Sequence, residues 1–212
     1  METYLVKPED KQRIQDAIEE AEKNTTGEIY VVLAQESSRY FFSACFVWTV
    51  IVLLASSLIA VFLHYAWYDI ALHYFGFGML IAFVIGLAYL AFIPALCRLL
   101  TPWIIKKHCC HDNAMRQFLA HNVDETKGRT GILLFVSYAE HYAEVIADRN
   151  IYHVVEQDKW QHLVDILTQH AKQKDLAQGY ILAIQEAGLL LAHHFPASQQ
   201  TENELPNHFV EI

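Results

Sequence analysis

Hydrophobic and polar positions follow three different rhythms along this chain. In PEDKQRIQDAIEEAEKN, Ile14, Ala17, Ile18 and Ala21 fall at i, i+3, i+4 and i+7, one apolar face of a helix. Pro8 suits the first turn of that helix, and Glu9 and Asp10 complement its positive end. Asn24 to Gly27 stop it. EIYVVLA, residues 28–34, is apolar on both faces and reads as a strand central to a sheet. From Tyr40 to Cys97 the rhythm disappears, and Asp69 is the sole formally charged side chain in that block.

A helix over all of that block would be about 87 Å long, against a bilayer core of about 30 Å, so it must fold back. Phe41–Leu63 and Gly76–Cys97 each exceed the roughly 20 residues that a span requires. Asp69 belongs in the turn, because a carboxylate at the bilayer centre costs about 2.5–3.5 kcal/mol. Tyr65, Trp67, Tyr68 and Tyr74 read as an interfacial aromatic belt. Gly78, Ala82 and Gly86, with Ser56 and Ala60, give small residues at the four-residue spacing that lets helices approach closely. Pro94 is expected to kink the second span. Arg39 precedes the spans and Arg98, Lys106, Lys107 and Arg116 follow them, while the loop between holds neither Lys nor Arg. Both termini are therefore expected in the cytoplasm.

After the spans, TPWIIKKHCCHDNAMRQFLAH is expected to continue as helix. GILLFVS (131–137) reads as a second buried strand and YAEVIAD (142–148) as a third, joined by YAEH in a hairpin. Trp160, Leu163, Leu167 and Ala171 mark an amphipathic helix over about 157–173, and an apolar helix follows over 176–194. The last residues read as a polar tail. The first polar piece is too short to bury a useful core alone. The chain is therefore expected to form one α+β domain, a small sheet sandwiched with helices, from residues 1–40 and 106–196. A two-helix transmembrane hairpin over 41–105 interrupts it, and 197–212 is the tail.

Composition and charge sharpen this. The 212 residues are 54% hydrophobic and 18% charged, with a net charge of −9. A disordered chain, a collagen, a disulfide scaffold and a wholly soluble enzyme are excluded. Residues 1–38 and 117–212 carry −5 and −7, and residues 98–116 carry +3. With no basic face outside that collar, nucleic acid is not an expected partner. The bilayer is, together with a membrane protein or a second copy of the chain.

The opening EDKQRIQDAIEEAEKNTTGEIYVVLA, the stretch TGILLFVSYAEHYAEVIADRNI and the paired helices from Trp160 to Phe195 resemble the TPM domain family. The likeness is narrower to a bacterial membrane subgroup with a two-span hairpin after the first strand and a NELP-type tail. This resemblance implies a TPM-like fold in a bacterial inner membrane. Members elsewhere usually lie outside the cytoplasm. Some are acid phosphatases or bind divalent metals, and others are accessory proteins of membrane complexes.

Asp148 and Arg149 end the third strand, and loops at strand ends favour binding groups. A carboxylate there suits a hard cation such as calcium or magnesium, which could clamp a phosphate. Asp124 and Glu125, in HNVDETKGRTG, are candidates to join Asp148. The second cluster is His108, Cys109, Cys110 and His111, residue types that favour zinc or copper. Its spacing departs from ordinary zinc motifs, and adjacent cysteines on a helix point different ways. His193 and His194 end a helix, where a cation is welcome. No P-loop, HExxH, nucleophile elbow or protein-phosphatase cysteine loop occurs. The leading expectation is an accessory or interaction module at the cytoplasmic membrane face. A metal-dependent acid phosphatase acting on phosphate monoesters is the alternative.

Overall fold

The structure is a computed structural model that describes residues 6–67, 71–126, 128–197 and 209–212. Among these, eight helices and four strands follow one another: α1 (Pro8–Glu22), β1 (Glu28–Ala34), α2 (Phe41–Tyr65), α3 (Leu72–Phe92), α4 (Pro94–Leu100), α5 (Trp103–Ala120), β2 (Gly131–Ser137), β3 (Tyr142–Ala147), α6 (Arg149–Tyr152), α7 (Gln157–Lys172), α8 (Leu176–His194) and β4 (Phe209–Glu211). The chain divides into two compact units: residues 1–37 with 107–212, and residues 38–106.

The first unit is mixed α+β, built on a four-stranded sheet of order β3-β2-β1-β4. β1 pairs in parallel with β2 from Glu28↔Gly131 to Ala34↔Ser137, and with β4 from Val31↔Phe209 to Leu33↔Glu211. β3 returns antiparallel to β2. β1 is thus an interior strand, and every residue of β1 and β2 is buried. Ile29, Val31 and Leu33, with Ile132, Leu134 and Val136, pack against Ile14 and Ile18 of α1, Leu163 and Leu167 of α7, and Tyr180, Ile184 and Leu191 of α8. The opposite face, Tyr30, Val32, Ala34, Leu133 and Phe135, packs on Ala114 and Phe118 of α5. Burial on both faces is what a strand without alternation requires. Gly188 lets α1 and α8 close up: a Cβ there would sit 2.7 Å from that of Ala21.

β4 corrects the expected polar tail, whose residues 198–208 lie outside the described part. Phe209 is buried and meets the Tyr180 ring at 5.6 Å, and Glu211 pairs with Lys11 of α1 at 2.7 Å. These non-local contacts, and the backbone of β1, make a strand from a segment whose local pattern is polar.

The second unit holds two helices long and apolar enough to cross a membrane, Phe41–Tyr65 and His73–Phe92. Their limits differ from the expected spans. His73, Tyr74 and Phe75 belong to α3 rather than to the turn. At the other end the helix stops at Phe92, and Cys97 lies in the separate α4. The cause is Pro94, which pushes Ile93 out of helical geometry, to φ −123° and ψ 88°. Thr101, ahead of Pro102, is extended likewise, so α5 is a new helix and not a continuation. Gly86 faces Trp48 so closely that a Cβ would lie 2.1 Å from the indole, whereas at Gly78 it would meet nothing within 4 Å. The small-residue row therefore divides between hairpin packing and an open face. Tyr65, Trp67 and Tyr74 are exposed, while Tyr68 and Asp69 lie outside the described residues.

Candidate functional site

The two edges of the parallel pair hold different chemistry. At the edge where β1 and β2 begin, β3 ends, and Asp148 follows it. Asp148 is buried and caps α6: its Oδ1 accepts from the Arg149 N–H at 2.6 Å. Its own N–H donates to the Gly131 carbonyl at 2.9 Å. Asn150 Nδ2 donates to the Gly128 carbonyl at 2.8 Å, so the 122–130 loop and the start of α6 are stitched together. The second Asp148 oxygen, Oδ2, is buried without a hydrogen-bond partner. Arg149 and Glu125 are exposed, and Asp124 is half-buried.

One spare carboxylate oxygen falls short of the six to eight oxygens calcium takes. Among the described residues no three His, Cys, Asp or Glu side chains converge to hold an ion. The donors present do not build a calcium cage, and no reaction step is routed through a cation. Capping is what Asp148 does in this fold, and side-chain oxygens are the preferred N-cap acceptors.

The cluster from His108 to His111 diverges around its helix. Cys110 is fully buried in line with Ala114 and Phe118, Cys109 is half-buried, and His108 and His111 are exposed. His111 Nδ1 meets Glu144 Oε1 at 2.8 Å, and the Tyr142 hydroxyl donates to Glu144 Oε2 at 3.0 Å. Burial, then the Glu144 charge, pushes the Tyr142 hydroxyl well up from its ordinary value. His193 and His194 stand in the last turn of α8 with ring centroids 4.6 Å apart.

The opposite edge, where β1 and β2 end, carries groups that the sequence pattern did not single out. Glu140, in the β2–β3 turn, is buried. It accepts a short hydrogen bond from the Ser137 hydroxyl, and the Ser37 N–H at 3.3 Å. The two serine oxygens are 2.7 Å apart. Glu140 thus ties β2 to the last residue of the unit's first segment. YAEH reads locally as a polar turn, and the carboxylate's partner lies 103 positions away. A second cryptic group is Glu22. Its Oε1 accepts from the Ile29 N–H at 2.9 Å, and enclosure, with Glu28 and Glu19 nearby, pushes its pKa up to about 8.

Fold and site together define a mixed α+β protein with a small sheet and two apolar helices of membrane-spanning length. The NMR structure of the BA42 protein from the psychrophilic bacterium Bizionia argentinensis sp. nov. is similar over 100% of this chain and 99% of that one. The TM-score is 0.62 and the identity 23%, a likeness of fold. No protein-family model and no curated protein matches the sequence.

Proposed function

We propose that this chain is a membrane-anchored module of the TPM type. Its acidic α+β unit stands at the cytoplasmic face of a bacterial inner membrane and serves a membrane complex as an accessory protein. The observation that carries the reading is the surface of the hairpin. Phe42, Phe46, Leu58, Phe62 and Phe92 are all exposed, Phe42 to 87% and Phe92 to 85%. Soluble monomers rarely expose continuous apolar patches beyond a few hundred Å². A bilayer covers such helices, and α2 and α3, at about 37 and 31 Å, match its thickness. The order of the termini rests on the Lys and Arg collar. Divergent His and Cys side chains, and an Asp148 occupied in capping, favour an interaction role over hydrolysis.

The open face at Gly78 is the contact expected to serve a partner helix. Replacing Gly78 with cysteine in an otherwise cysteine-free chain, then oxidising native membranes, should trap a disulfide-linked adduct with a second copy or another membrane protein. A control cysteine at Phe62 should give less. Equal or absent cross-linking at both positions contradicts the reading.

A further inference from the structure

At the edge where β1 and β2 end, a pocket of about 200 Å³ opens between the β2–β3 hairpin and α7. Its walls are apolar, from Val136, Ala143 and Ala171, and its polar wall residues include Lys172, His141 and Thr168. Charge at the pocket runs against its surroundings. The polar segments are acidic overall, yet the wall holds Lys172 and no carboxylate, and Lys172 makes no ion pair among the described residues. The nearby carboxylate, Glu140, is occupied by Ser137 and Ser37 and is not part of the wall. Thr168 is likewise occupied, its hydroxyl donating to the Val164 carbonyl at 2.9 Å.

We propose that this pocket binds a small carboxylate-bearing molecule with an apolar body, the body between Ala143 and Ala171 and the carboxylate against Lys172, with His141 beside it. The size fits: a dry cavity of about 150 Å³ takes benzene, and pockets for drug-sized ligands begin at about 300 Å³. An apolar body gains by leaving water, and the unpaired ammonium selects the anion over its neutral analogue. This site is separate from the helix contact proposed for Gly78, and either stands if the other fails.

The test uses the full chain in zwitterionic lipid nanodiscs with 4-fluorobenzoate, read by fluorine NMR against empty nanodiscs. Saturable millimolar binding is expected, as for a ligand of this size. The neutral 4-fluorobenzyl alcohol should bind at least about tenfold more weakly, and Lys172→Gln should weaken the acid by about the same factor. Ala171→Leu, which fills the pocket, should abolish binding while the circular dichroism stays unchanged. If Ala171→Leu misfolds, Lys172→Gln and the alcohol still decide. No saturable binding, equal binding of acid and alcohol, or acid binding unaltered by Lys172→Gln would overturn the proposal.

Discussion

Glu22 ends α1 with its carboxyl enclosed beside Glu28 and Glu19, and it holds its proton up to about pH 8. In the unfolded chain the proton leaves near 4.5, the ordinary value for a glutamate. Between those values the folded state binds more protons, so this group's contribution to stability falls as pH rises through the window. The contribution is on the order of a few kcal/mol. Glu22→Gln keeps an oxygen to accept from Ile29 but has no proton to lose. Relative to the parent it should gain little at pH 4.5 and several degrees of melting temperature at pH 8.5, measured by tryptophan fluorescence of the detergent-solubilised chain. The same difference at both pH values would contradict this. At this scale the sequence was legible in part. Asp148 stands out because it follows an alternating strand, but its task as a cap depends on the geometry of the next turn. Glu22 and Glu140 sit in stretches that look like solvated helix and turn. Partners in other elements, Ile29 of β1 for one and Ser37 for the other, set them apart.

Elements divide by how local their causes are. α1, α7 and α8 follow from periodicity and β1 and β2 from unbroken apolar runs, and all lie within a residue or two of expectation, because each carries its own apolar surface. β4 does not. Its three residues have no pattern of their own and depend on Val31 to Leu33, Tyr180 and Lys11. Phe209→Ala should therefore cost about 3 kcal/mol, the usual loss for a buried aromatic. It should lower the denaturation midpoint without changing membrane extraction, and an unchanged midpoint would mean β4 adds nothing. Within the hairpin, Gly86→Leu drives a side chain into the Trp48 ring and should cost about 1–3 kcal/mol through overpacking. Gly78→Leu, on the open face, should leave the melting temperature of the solubilised chain unchanged. The break at Ile93 was legible as a kink at Pro94, but its depth was not, since Thr101 and Pro102 interrupt the chain again about two turns later.

For the whole molecule, the unusual feature is that one sheet is built from both sides of a membrane-length hairpin. β1 precedes α2 and α3, while its neighbours β2 and β4 follow them. Seven registered pairs, Glu28↔Gly131 to Ala34↔Ser137, then require both polar segments to meet in one compartment. A hairpin of two spans satisfies this and a single span does not. The most direct measurement is the sidedness of two cysteines, Glu20→Cys in the first segment and Glu125→Cys in the second, each alone in a cysteine-free chain. An impermeant maleimide should label both in inverted inner-membrane vesicles and neither in intact spheroplasts. Labelling of the two positions from opposite sides would contradict the account.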